Sequence, residues 1–237
     1  MKKSIGIIIA CCIFILSIIS IVYSSWSNHT REAKISNGQI NLTSVSFDNK
    51  DIIHLNGEWE FYKNQLITPI PNKNIFDSYE RELRYVPGLW SDNKSKAPFI
   101  AGTYRITITV PKDGLYGIKV NAVNHASKLF INGIEAGESG NPSKDKSDYR
   151  PYIRKYIGIG RSENHKIEIV IQAASHNQPL RGGVIQPIEF GSATQILTSR
   201  ESDRTIETLL LGGYLVLGVF YLFSFFLSNE GYPSIIL

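Results

Sequence analysis

The chain has 237 residues, 43% of them hydrophobic and 19% charged, with a formal net charge of +4. Once apolar end segments are set aside, that length holds one domain with a sizeable core. Positive and negative residues are interspersed, which excludes the basic stripe of a nucleic-acid binder. The two cysteines, Cys11 and Cys12, both lie in an apolar run, so the folded part is left without a disulfide or a thiolate metal site.

In chain order, Lys2 and Lys3 precede an apolar stretch over 5–23, so residues 1–24 read as a signal peptide or a membrane anchor. Both remain open: the run is long for a cleaved signal, while Val22 and Ser24 form a passable cleavage site. The basic start sends the downstream segment outward across the bilayer, with Arg200 and Arg204 beyond the domain as a mild objection. From residue 39 the pattern changes to alternation. Tyr104, Ile106, Ile108 and Val110 fall on one face of a strand over 103–110, and Thr103, Arg105, Thr107 and Thr109 on the other. The same period recurs over 115–122 and 166–173, with shorter strands expected at 40–45, 58–62, 128–131 and 184–190. Asn132-Gly133 is a two-residue hairpin turn, in which both positions need positive φ. Seven or more short strands and no helical period before Arg200 predict an all-β fold, an antiparallel β-sandwich over 36–196. A polar stretch over 137–150 reads as a long loop.

Residues 197–207 form a polar approach, expected to be helical, to 208–227, about twenty residues without a charge. At about 1.5 Å per residue this run spans roughly 30 Å, the thickness of a bilayer's hydrocarbon layer, and it reads as a transmembrane helix. Residues 228–237 would then be a short cytoplasmic tail.

Several short motifs come in a recognisable order: Leu55, Asn56, Gly57, Glu58 and Trp59; Val86, Pro87, Gly88, Leu89 and Trp90; Gly102, Thr103, Tyr104 and Arg105; Leu129 to Gly133; and a strand from Ile167 to Gln172. Together they resemble the galactose-binding-like jelly roll, including the sugar-binding domain that begins family 2 glycosidases. With Gly182-Gly183, Gln195-Ile196 and the following apolar span, the succession is more similar to the extracellular domain of bacterial receptors with seven transmembrane helices and diverse intracellular signalling modules. That resemblance implies an extracytoplasmic sensor at a bacterial cell membrane, binding a small carbohydrate-like ligand and joined to the first helix of a bundle, with the other six helices and the output module absent here. The family's Asn, His and Arg before the Gly-Gly pair stand here in a shifted arrangement, from Ala174 through His176 to Arg181. The other reading left open is an anchored glycan-binding or structural module without signalling.

Four residues are candidates for ligand contact. Trp90, beside Pro87-Gly88 in a loop, offers a flat face to a sugar ring, whereas Trp59 and Phe61, on alternate strand positions, are expected in the core. Tyr149 opens an aromatic and basic run, with Arg150, Tyr152, Arg154, Lys155 and Tyr156, that suits an acidic glycan or lipid headgroups. His176 and Arg181 sit where strands end, with chemistry suited to hydroxyls or a carboxylate. No catalytic residue, metal site or cofactor is expected: Glu58 and Glu60, two apart on one strand, cannot straddle a glycosidic bond, and the five histidines are scattered. The expected partners are a small-molecule or glycan ligand and the lipid bilayer, with a homodimer left open.

Overall fold

The computed structural model describes residues 30–47, 51–90 and 100–229. The expected signal or anchor at 1–24, and the tail from residue 230 on, lie outside the described residues. Thirteen strands precede one long helix: β1 (Thr30–Ile35), β2 (Gln39–Asn41), β3 (Ile52–Lys63), β4 (Glu82–Val86), β5 (Ala101–Thr109), β6 (Leu115–Val120), β7 (Val123–Asn124), β8 (Ala126–Ile131), β9 (Ile134–Ser139), β10 (Tyr156–Arg161), β11 (Lys166–Ala174), β12 (Gly183–Val184), β13 (Ile188–Ser192) and α1 (Ala193–Asn229). Eleven of the strands form one continuous sheet, which folds over along β3 into the two layers of a jelly-roll sandwich.

β3 can serve both layers because it is 12 residues long. Its first half pairs with β13 and β1, and its second half with β5 and β4. One layer runs β10-β6-β13-β3-β1 and the other β4-β3-β5-β11-β8-β9, with β2 taking the place of β3 beside the far end of β5. Pairing is antiparallel except for β1 on β3 and β2 on β5. The edges β9 and β10 close against each other at glycines: a Cβ on Gly158 would lie 2.8 Å from the Cβ of Ala136, and one on Gly137 would lie 2.8 Å from Cδ2 of Tyr156.

The alternating residues read from the sequence fill the space between the layers. Tyr104, Ile106, Ile108, Val110, Tyr116, Ile118, Val120, Ile167, Ile169, Ile171 and Ala173 share one core with Trp59, Phe61, Ile188 and Phe190. The Asn132-Gly133 turn has φ of 47° and 80°, the geometry a two-residue hairpin demands. Three features exceed the sequence pattern. The sheet begins at Thr30, ahead of residue 36, and β4 and β10 are additional strands. Neither follows the pattern of a buried apolar face: β4 carries charge at Glu82 and Arg84 and leaves Leu83 and Tyr85 exposed, and β10 contains two glycines, Gly158 making room for Ala136 of β9 and Gly160 for Ile131 of β8.

The first turn of α1 belongs to the sandwich unit, Asn28–Leu197. The Gln195 side chain accepts from the Ser192 N–H at 2.9 Å and donates to the Phe47 carbonyl at 2.7 Å, while Ile196 packs over Gly117. The helix then continues without interruption through 197–207 and 208–227 as part of a second unit. Its stretch Ala193–Phe223 is long and apolar enough to cross a membrane, and Leu211, Leu215, Val219, Phe220 and Phe223 are exposed.

Candidate ligand-binding site

The register of β5, β11 and β8 arranges their outward side chains in rows across the outer face of one layer. The rows are Ala101–Ala174–Ala126, then Thr103–Gln172–Lys128, then Arg105–Val170–Phe130, then Thr107–Glu168. Each row has a different fate.

At the alanine end, the small side chains leave a shallow apolar floor onto which the Tyr149 ring folds, with Leu66 and Ile100 alongside. Of the four residues singled out from the sequence, Tyr149 and His176 meet at this end. Tyr149 is 5% exposed, its ring centroid 4.6 Å from that of His176. His176 Nε2 lies 2.8 Å from the Ser143 carbonyl. The loop between them is stiffened by Asp145, whose carboxylate accepts from the Ser147 N–H and hydroxyl at 2.9 and 3.0 Å. Those bonds, the N–H first, hold the Asp145 pKa below the usual carboxylate range. The Arg181 carbonyl accepts from the Asn124 side chain, and the Gly182 carbonyl accepts from the Trp90 N–H at 2.8 Å.

Trp90 is not a stacking platform. It is 2% exposed, its indole N–H donates to the Tyr104 hydroxyl at 2.8 Å, and a Cβ on Gly182 would lie only 2.1 Å from its ring. The loop position suggested exposure, but the missing side chain at Gly182, just before β12, lets the backbone lie against the indole, and the tryptophan is core. Tyr149 is likewise covered, while His176 is half-buried and Arg181 exposed. His125, not singled out from the sequence, lies here too: its Nδ1 is 3.0 Å from the Ser175 hydroxyl, which donates to the Gln178 carbonyl at 2.8 Å. Its φ of 79° places it in a tight turn, which no sequence signal marked. This end is a knot of loops tied to each other.

The middle rows are roofed by the segment between β3 and β4. Thr103 accepts from the Ile67 N–H at 3.0 Å and donates to the Gln65 carbonyl at 2.7 Å, and Gln172 donates to the Thr68 hydroxyl at 3.1 Å. Phe76 and Ile67 then bury against Tyr62, Phe130 and Val170.

Beyond that roof the face opens. Arg105, Thr107 and Glu168 line a groove of ≈ 630 Å³ together with Ile70, Asn72, Lys73 and Asn74 from the roof's turn, Asn132, Gln39, Glu163 and Asn164 from the turn before β11, and Lys166 at that strand's start. Its lining is almost wholly polar, with Ile70 the one hydrophobic side chain among the residues named, so it offers hydrogen-bonding groups rather than an apolar slot. At its base the Arg105 guanidinium lies 4.5 Å from the Phe76 ring centre. Its Nε donates to Glu168 at 2.6 Å and its Nη1 to Glu60 at 3.0 Å. Glu60 also takes Arg81 on its other oxygen and the Tyr62 hydroxyl at 3.0 Å.

Burial pulls the Arg105 pKa down, but Glu168 and then Glu60 more than reverse it, so the net shift is upward. The Tyr62 phenol is pushed up to about 12, by burial first and then by Glu60. Glu60 therefore acts as the buried centre of an ionic network rather than as surface charge. Asn132 holds one wall: its amide donates to the Arg161 carbonyl at 2.7 Å and its carbonyl accepts from the Glu168 N–H at 2.7 Å. None of this is legible in the sequence. Glu60, Arg105 and Glu168 are far apart along the chain and become neighbours only through the register of three strands. Among the described residues, no group of three or more His, Cys, Asp or Glu side chains is placed to hold a metal ion.

No family model matches this chain, and no curated protein matches it. Solved structures do. A GH2 beta-galacturonidase from Eisenbergiella tayi bound to glycerol is 13% identical over 60% of this chain and 24% of its own, with a TM-score of 0.39. A putative beta-galactosidase from Bacteroides fragilis is 17% identical over 59% of this chain and 22% of its own, with a TM-score of 0.41. A b-glucuronidase from Ruminococcus gnavus in complex with D-glucuronic acid is 10% identical over 59% and 29%, also at 0.41. The match thus spans about a quarter of the length of those chains.

Proposed function

We propose that the chain is the extracytoplasmic ligand-binding portion of a bacterial membrane signalling receptor, taking a carbohydrate-like small molecule without transforming it. The groove on the outer sheet face carries this reading. Its lining mixes Gln39, Asn72, Asn132 and Asn164 amides with Arg105, two lysines and two glutamates. Such donors and acceptors match a ligand dense in hydroxyl groups, each of which both donates and accepts. The floor is preorganised: Arg105 is pinned by two carboxylates, so a ligand meets fixed dipoles rather than a side chain that must be ordered.

Anchoring is supported by α1, whose leucine, valine and phenylalanine side chains from Leu209 onward are exposed in the free chain, a surface suited to lipid. Signalling rests on the resemblance in motif order. A ligand can shift such a receptor only by touching one of its states better than another.

The test uses the whole chain in lipid nanodiscs against a panel of mono- and oligosaccharides, read by saturation-transfer NMR. Binding of one sugar class, lost in Gly133→Ala, supports the groove. A panel with no binder overturns the ligand reading. Accessibility of Asn164→Cys to an impermeant thiol reagent in intact cells tests the placement of the sandwich, and protection from it would sink that placement.

A further inference from the structure

The groove's charges specify the ligand further. Its lining holds three cations, Arg105, Lys73 and Lys166, against two carboxylates, Glu168 and Glu163. They are not equally available. Glu168 is taken by Arg105, which is also held by Glu60, itself paired with Arg81, so that cluster of two cations and two carboxylates presents little net charge to a ligand. What remains are the exposed side chains of Lys73, Lys166 and Glu163, none with an ion-pair partner among the described residues. Two lysines against one glutamate leave a single surplus positive charge over an amide-rich floor.

Resting on the reading of the groove as the ligand site, we infer that its ligand is a sugar acid: a hydroxyl-rich ring or short chain bearing one carboxylate, such as a uronate. The hydroxyls face the amides and the carboxylate lies between the Lys73 and Lys166 ammonium groups. One carboxylate balances the surplus. A phosphate monoester, carrying about −1.5 to −2 near neutral pH, would exceed it and meet repulsion from Glu163. The lysines suit the task because an ammonium on a flexible stem is a point charge that can reach a ligand without a fixed fork geometry.

The experiment titrates the whole chain in nanodiscs of uncharged lipid with matched ligands: glucuronate and glucose, galacturonate and galactose, and the corresponding 6-phosphates. In one pair at low salt the uronate should bind about fivefold tighter than its neutral partner, and the difference should shrink toward parity near 0.5 M salt as the charges are screened. Replacing both Lys73→Gln and Lys166→Gln should erase the preference, bringing the uronate's affinity down to that of its neutral partner measured on the same variant. Equal binding of acid and neutral sugar overturns the sugar-acid inference and leaves the groove standing. A 6-phosphate that binds tighter than the uronate overturns the carboxylate. If no member of any pair binds, the groove itself is overturned, and the inference with it.

Discussion

The two ends of one sheet face, built from the same three strands, have opposite fates. Where β5, β11 and β8 present Ala101, Ala174 and Ala126, the chain lays Tyr149 over them and the end closes. Where β5 and β11 present Arg105, Thr107 and Glu168, the same face stays open as a groove. The strand ladders satisfy the backbone at both ends, so the side chains decide. Small apolar groups gain by losing water to an aromatic ring, whereas charged and hydroxylated ones lose by it unless paired.

The largest effect is expected at the floor of the open end. Arg105→Ala leaves Glu60 buried, with its side chain 7% exposed and only the outer ion pair to Arg81 remaining. Breaking such a pair from one side should cost about 3 kcal/mol, measured by urea unfolding of the intact chain followed by tryptophan fluorescence. The double variant Glu60→Leu with Arg105→Met, which removes both charges, should recover most of that loss. A cost for Arg105→Ala near zero would mean that the network does not support the fold.

Next is the wall of the groove. Gly133 has φ of 80°, and a Cβ there would lie 2.4 Å from the backbone N of Pro71, so the hairpin turn and the 70–74 turn touch through a missing side chain. Gly133→Ala should cost about 1–2 kcal/mol through strain and displace one wall. A counterpart at the closed end is Gly182→Ala, which drives a methyl into Trp90 and should destabilise without touching the groove. Ligand binding lost in the first variant and kept in the second would separate the two ends by function.

A smaller effect is expected with alkali. Tyr62, under the roof between the two ends, has its phenol raised from 10.0 to about 12. Unfolded, it ionises near 10; folded, it stays protonated until near 12. Its contribution is therefore complete below pH 10 and is lost as pH climbs through 12. Tyr156, in the core, is raised by burial and loses stability in the same direction. Tyr62→Phe should flatten, but not abolish, the fall in midpoint temperature across that window.

How much of this the sequence could reveal differs between core and surface. Period-two alternation marked Tyr104, Ile106, Ile108, Ile167, Ile169 and Ile171 because burial on one face of a strand is a local property, visible in neighbouring residues. Trp90 was misplaced because its burial depends on Gly182, a residue far along the chain. The groove was hidden for the same reason: Arg105 looked like any polar-face residue until pairing set Glu60 and Glu168 beside it. Among the sequence candidates, Tyr149 and His176 do meet, but as a packed pair and not in an open cavity.

The smallest effect separates two buried tyrosines by sign. Among the described residues, the buried Tyr149 hydroxyl has no partner within hydrogen-bonding geometry. Burial pushes its pKa up, and only the backbone N–H of His176 pulls the other way. The Tyr156 hydroxyl, also buried, shares a hydrogen bond of 2.9 Å with Ser127. Removing a satisfied hydroxyl forfeits its bond, so Tyr156→Phe should cost about 1 kcal/mol. Removing an unsatisfied one relieves a desolvation penalty, so Tyr149→Phe should be neutral or stabilise by up to about 1 kcal/mol, with the ring still over Ala101, Ala126 and Ala174. Urea midpoints of the two variants give the comparison directly. If Tyr149→Phe instead costs as much as Tyr156→Phe, the hydroxyl has a partner in solution, and the closed end is wetter than a tyrosine lid on an alanine floor should be.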